Sequence, residues 1–476
     1  MISQINEFLW GNLLIILIPL VGVYFTYRCG FVQFRFFKPA IKYAFRGNDS
    51  GEGEISAFSS LCTMLGATIG TGNIVGVATA VCAGGVGALF WMEISALLGM
   101  ATKYAEGLLA VKFREKSSGE FFGGPFYYIE KGLGRRYKWL AKSFCIFTVL
   151  AGLFGIGTLT QINSINEALQ SFFDPEKSHT LLSIGDNQYT VTTVIGGVVV
   201  TLLTALLILG GIKRIAKFSE MLIPFMSVVY IMLTLIIIIC NIKSLPAALA
   251  RMVKSAFTTT AVTGSAVGIS VKQALSVGFS KGVFSNEAGL GSSAIGAAAT
   301  KTREPVEGGL VTMISAFIDT TVLCTLSGLA VVLANPTATG GNGIAVTVAA
   351  WNKGLPFGGM LTSFLLNFSL VFFAFATIPG WSYYSECCLN YLSNDSKKLR
   401  KAFRIIYILV VAVGPYLSFD FVWQIADCLN GLMALPNLFA LILLGGVVNR
   451  ETSQYFKRNE IPKKQYKLKF KVILQR

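Results

Sequence analysis

Apolar residues in this chain come in long blocks, without the three-and-four rhythm of a helix that keeps one face in water. Blocks near 20 residues, the length needed to cross bilayer hydrocarbon, recur from end to end between short polar and basic connections. They predict an all-α polytopic membrane protein with about eleven transmembrane helices. The spans run roughly over 10–29, 55–82, 87–111, 138–163, 191–211, 215–241, 251–280, 307–334, 358–384, 402–418 and 421–447. The first follows a stretch without Lys or Arg and has no small-residue cleavage site, so it reads as a retained span and not a signal peptide.

Two of these blocks are interrupted. In the second, the stretch from Gly66 to Gly76 holds four glycines (66, 70, 72 and 76), Thr68, Thr71 and Asn73. Each interior glycine costs a helix about 1 kcal/mol against alanine. Hydrocarbon tolerates unwound backbone only where it is buried in protein or lines a wet cavity. An interrupted membrane helix therefore reads as a substrate or ion site near the bilayer midplane. Small-residue spacings such as Gly66/Gly70 also serve close helix packing, but packing gives no reason for Thr71 and Asn73. The seventh block carries Thr258-Thr259-Thr260 and Gly264-Ser265-Ala266-Val267-Gly268. If 10–29 is an added helix, 55–241 and 251–447 form two sets of five, each led by its broken member. Spans two and seven run in opposite directions, which is the inverted repeat of many secondary transporters. Residues 448–476 read as a basic tail.

Composition agrees with a membrane location: 53% of the 476 residues are hydrophobic and 13% are charged. The formal charge of +16 does not point to nucleic acid, because the basic residues sit in loops between spans. One alternate set of loops holds most of the 40 Lys and Arg residues; the other holds Lys177, Lys243, Arg251, Lys254 and Lys353. The positive-inside rule then puts the N-terminus outside and the C-terminus in the cytoplasm, as for an inner (plasma) membrane protein. The nine cysteines have no CxxC pair and no metal-ligand spacing, and the lone His179 rules out His-based metal or triad chemistry. Without a clustered nucleophile–base set an enzyme is disfavoured. A channel is disfavoured too, since the polar residues converge on two breaks instead of striping several helices.

Breaking a helix frees backbone groups. The segment after the break begins with bare N–H groups near Gly70, Thr71 and Gly72, whose positive dipole end favours a carboxylate. The segment before it ends with free carbonyls from Gly66 to Ile69, suited to a hard cation. The stretch Gly70-Thr71-Gly72-Asn73-Ile74-Val75-Gly76-Val77-Ala78-Thr79-Ala80 resembles the signature of the alanine/glycine:cation symporter family. So do Phe90-Trp91-Met92 with Met100 to Glu106, Gly123-Gly124-Pro125-Phe126-Tyr127-Tyr128, Phe284 to Ser292, and Gly380-Trp381-Ser382-Tyr383-Tyr384. The resemblance covers nearly the whole chain; one departure is Ile378-Pro379, where no proline is expected and one would kink the span. It implies a LeuT-type 5+5 inverted repeat preceded by one extra helix, and cation-coupled uptake of alanine or glycine.

By the same resemblance the amides of Thr71 and Gly72 would hold the substrate carboxylate and the Thr68 carbonyl its ammonium. Asn73 follows the break and could offer its oxygen to a cation or its NH₂ to the carboxylate. Gly264 and Ser265 would bring the second broken helix to the pocket. Carbonyls of Gly66 and Ile69 with Ala374-Phe375-Ala376-Thr377 would bind the coupling ion, expected to be sodium because these are neutral oxygens. Gln161 could bond substrate or another helix, and Trp381 could cap a pocket for a small side chain or anchor at an interface. Asp319 reads as an ion or proton relay, or as a carboxylate paired with a hydroxyl. Lys103 and Glu106, at i,i+3 beyond Glu93, suggest a partly buried ion pair. Asn286-Glu287 falls on the cytoplasmic side as a hinge or gate, and Phe121 to Tyr128 as a turn.

Overall fold

The computed structural model describes residues 2–46, 51–117, 119–184, 187–258, 270–334 and 343–458. Among these residues, eight helices are long and apolar enough to span a membrane. They are α1 (Ile2–Arg28), α5 (Gly87–Phe113), the run Arg135–Phe173, α8 (Val191–Ile208), α9 (Gly211–Cys240), α12 (Pro305–Ala334), α14 (Gly359–Leu392) and α16 (Phe419–Arg458). A ninth crossing is a bent pair, α3 (Ala57–Thr68) and α4 (Gly72–Gly84), which meet at 57°. Between α1 and α3 lies α2 (Phe37–Arg46), which is amphipathic and too short to cross. The Arg135–Phe173 run comprises α6 (Lys138–Phe154) and α7 (Leu159–Phe173), joined at Gly155–Thr158. The seventh block appears as α10 (Leu245–Phe257) and α11 (Val271–Asn286), which flank residues outside the described set. After α12 come α13 (Gly343–Gly354) and, following α14, the 17-residue α15 (Lys397–Val413).

Several expected boundaries move. The last span does not end at 447: the helix continues to Arg458, because Val448, Thr452 and Tyr455 keep one face buried. Residues 448–458 are therefore helix and not tail. Pro379 lies inside the continuous α14. In the 112–138 connection, Glu115–Ser117 pairs antiparallel with Glu120–Phe122, and Gly124, at φ 135°, turns the chain into Pro125.

In lipid there is little hydrophobic drive between helices, so close approach and polar bonds supply the cohesion. The spine is α5: 83% of its most apolar 18-residue window is buried, against 28% for the peripheral α8. Gly309 lets α12 settle on the Tyr104 backbone, where a Cβ would stand 2.6 Å from the carbonyl oxygen. Gly278 does the same for α11 against Ala88.

The entrance to the broken helix is pinned at its base. Residues 54 and 55 bond Ala299 O, and Lys301 N bonds Ile55 O at 2.8 Å. The Arg114 guanidinium spans this junction, donating to the carbonyls of Ala298 (3.0 Å), Thr300 (2.7 Å), Glu52 (2.7 Å) and Thr302 (2.8 Å). A lysine cannot reproduce that fork. Arg114→Lys is expected to lower stability by about 1.5–3 kcal/mol, read as a lower melting temperature in detergent.

Candidate functional site

At the end of α3 the ladder opens. Ile69 N still bonds Leu65 O (2.6 Å), but Ile69 itself is extended (φ −73°, ψ 103°). The Gly70 N–H, which would otherwise close onto Gly66 O, donates to Asn73 Oδ1 at 3.0 Å. Thr71 restarts the chain in helical conformation, and its N–H donates to Gln161 Oε1 at 3.2 Å. Gln161, on α7, is in turn held by the α6–α7 joint, its Nε2 donating to Ile156 O at 2.9 Å. Gln161 is thus an interhelical partner seated on the amide where a substrate carboxylate was expected. The Thr71 hydroxyl is buried without a partner, and Ser164 Oγ, one turn beyond Gln161, is likewise unpaired. Gly72 packs on Phe284 and Ser285 of α11. The Thr68 hydroxyl folds back on its own helix, donating to Met64 O at 3.1 Å.

On the carbonyl side of the break, Thr377 Oγ1 of α14 donates to Ile69 O at 3.3 Å and to Phe373 O at 3.3 Å. Ala374 is buried on the same helix, three residues earlier, and Gly66 abuts Ser219 of α9. Two of the four residues expected to bind the ion are therefore in direct contact across 308 positions of sequence. A Cβ on Gly70 would stand 2.7 Å from Thr377 Oγ1 and 2.8 Å from Gln161 Oε1. Gly70→Ala is accordingly expected to abolish uptake while the protein still inserts and purifies, measured as transport per folded molecule. Gly264 and Ser265 lie outside the described residues.

The structure gives Asn73 a different environment from the one its position suggested. Both ends of its amide are engaged: Oδ1 by Gly70 N, and Nδ2 by Asp319 O (3.0 Å), Asp319 Oδ1 (2.9 Å) and Cys324 Sγ (3.3 Å). Asp319 is fully buried and also accepts from Ser285 Oγ (2.6 Å) and Thr320 Oγ1 (2.8 Å). The reading of Asp319 as a carboxylate paired with hydroxyls holds, and Asn73 is an added partner. Both stretches are locally widened, with i→i+5 turns over Gly72–Gly76 and Phe317–Cys324. Such turns gather at functional positions. Sequence reasoning had no handle on this pairing beyond the cost of a carboxylate in an apolar span.

Trp381 is buried, packed on Gly157, and donates from Nε1 to Glu287 Oε1 at 3.0 Å. It is not an exposed interfacial anchor. Asn286 and Glu287 lie at the buried end of α11, where Glu287 caps the helix at φ 58° and also accepts from Ser292 Oγ at 2.5 Å. The expected Lys103–Glu106 ion pair is absent from the ion pairs of the described residues. Both side chains are fully buried, but Lys103 Nζ donates to Ser293 Oγ (2.5 Å). Glu106 Oε1 instead accepts from Gly289 N (3.1 Å) and Asn437 Nδ2 (2.7 Å). The segment 287–293, a turn running into the short helix Ser292–Ala298, offers each a closer partner than the other.

The chain as a whole is similar to known proteins in fold and in sequence. The solved structure of MhsT in complex with L-phenylalanine superposes with a TM-score of 0.56 over 85% of this chain and 99% of its own, at 15% identity. The fold is therefore LeuT-type. An archaeal protein from Methanococcus maripaludis, the sodium/alanine symporter AgcS, is 42% identical across 98% of both chains. An uncharacterized transporter of Haemophilus influenzae is 46% identical over 97% of this chain and 96% of its own. The probable sodium/glutamine symporter GlnT of Bacillus subtilis is 35% identical over 96% and 91%. With the pattern of the sodium:alanine symporter family matched over residues 1–470, this chain belongs to that family of membrane transporters.

Proposed function

We propose that the protein couples sodium entry to uptake of alanine, glycine or both by alternating access. The observation that carries this reading is the 3.3 Å contact between Thr377 Oγ1 and Ile69 O, two neutral oxygens from different helices meeting at the carbonyl end of a break. Gly66 and Ala374 carbonyls complete the sodium shell. The amides of Thr71 and Gly72 take the substrate carboxylate as Gln161 Oε1 yields its place or shares it, and the Thr68 carbonyl takes the ammonium. Asn73 acts by holding the break open from Asp319. Gly264 and Ser265 supply the second broken helix's side of the pocket, and Trp381 limits the substrate side chain. Greater identity to the relative named for alanine than to the one named for glutamine supports the small substrate.

One observation favours a second reading. Asp319 is a buried carboxylate one side chain away from the break, so a proton could serve as coupling ion in place of sodium. Calorimetric titration of alanine onto the purified protein separates the two. Sodium coupling requires that sodium raise alanine affinity and that alanine raise sodium affinity by the same factor. Overfilling a closed site costs about 1–3 kcal/mol, so leucine and phenylalanine are expected to bind roughly 5- to 150-fold more weakly. Alanine affinity indifferent to sodium, or leucine binding as tightly as alanine, would contradict the proposal.

A further inference from the structure

Helix α2 is unlike the connections around it. Gly30 and Phe31, at φ 64° and 58°, turn the chain sharply off the end of α1. The inner edge of α2 is small: Ala40 and Ala44 are fully enclosed and Phe37 meets the Phe317 ring at 4.7 Å, while the half-exposed Phe45 reaches Phe58 from the side at 5.7 Å. The outward face has two stripes. Lys38, Lys42 and Arg46 recur every fourth residue and are exposed. Beside them Ile41 and Phe45 are 39% and 51% exposed, and Phe34, just before the helix, is 62% exposed. On α1, Leu20 and Tyr27 are likewise exposed, at 59% and 78%.

No ion pair within 4.0 Å reaches the three cations among the described residues. From Arg28 to Arg46 the sequence has no acid. The acids on the neighbouring α12 and the turn before it are taken elsewhere: Glu304 pairs with Arg458 at 3.1 Å, and Glu307 accepts from Thr302 at 2.7 Å. A helix with apolar residues toward the acyl chains and cations above them lies in the membrane–water interface, and it is drawn to anionic lipid.

We propose that α2 is a binding site for anionic phospholipid headgroups, with Lys38, Lys42 and Arg46 on the phosphates and Ile41 and Phe45, together with Phe34 just before the helix, in the acyl boundary. The site touches the transport machinery directly. Phe58 opens the first turn of α3, and Phe317 is two residues from Asp319, so a headgroup on α2 braces both elements that carry the break. This site stands independently of which substrate and ion are transported.

The full-length protein is reconstituted in nanodiscs of phosphatidylcholine alone or with phosphatidylglycerol, and amide exchange is followed over residues 37–46. Phosphatidylglycerol is expected to slow exchange there, and inorganic phosphate added to phosphatidylcholine discs is not. Equal exchange in the two lipids would overturn the proposal without any variant. In native mass spectrometry, the triple variant Lys38→Gln, Lys42→Gln, Arg46→Gln is expected to retain less phosphatidylglycerol, by about fivefold in affinity per cation removed. Its phosphatidylcholine binding should be unchanged. A variant that melts like wild type in phosphatidylcholine and binds phosphatidylglycerol equally would likewise refute the site.

Discussion

Thr377→Val is expected to raise the sodium concentration for half-maximal uptake by roughly 5- to 150-fold, since losing a buried ligand or hydrogen bond costs about 1–3 kcal/mol. Valine keeps the volume and removes only the hydroxyl that reaches Ile69 O at 3.3 Å. Thr377 also bonds Phe373 O within its own helix, a contact α14 does not need in order to form. The substitution should therefore leave folding intact and act on the ion. If Thr377 served packing alone, yield would fall and sodium dependence would stay at the wild-type value.

Asp319→Asn is expected to stop both alanine exchange and net uptake. The carboxylate accepts from Asn73, Ser285 and Thr320, and replacing one oxygen by NH₂ turns a donor toward a donor in a buried site. Each unsatisfied group costs about 1–3 kcal/mol, and the strain falls on Asn73, which holds the Gly70 amide. Exchange assays give the sharper distinction. Were Asp319 the proton carrier of the second reading, the variant would lose gradient-driven accumulation and keep exchange. Loss of both, in a protein that still purifies as a folded species, is the outcome for a residue that shapes the break.

How far the sequence could be read depended on how local each signal was. The break at Gly66–Gly76 was legible because its cause, glycines and polar side chains in an apolar block, lies within eleven residues. The meeting of Thr377 with Ile69 came only through the family resemblance, since nothing local links residues so far apart. Asn73 and Asp319 are 246 positions apart, and their pairing needed the fold. The i,i+3 rule that suggested Lys103–Glu106 describes the surface of an isolated helix. In α5 the side chains face other elements, and the segment 287–293 captures each one. By contrast the extension of α16 was readable, because Val448, Thr452 and Tyr455 continue a buried stripe at i, i+4 and i+7.

Coupling of sodium to a small amino acid at the broken helix is read out by uptake of labelled alanine into proteoliposomes. A tenfold sodium gradient is worth about 1.4 kcal/mol, and 100 mV adds about 2.3 kcal/mol per charge. One sodium per zwitterion therefore sustains roughly 500-fold accumulation. Accumulation is expected to follow an imposed sodium gradient, to be strengthened by an inside-negative potential and to collapse when potassium replaces sodium. Uptake that runs at full rate without sodium and follows an imposed proton gradient would contradict it.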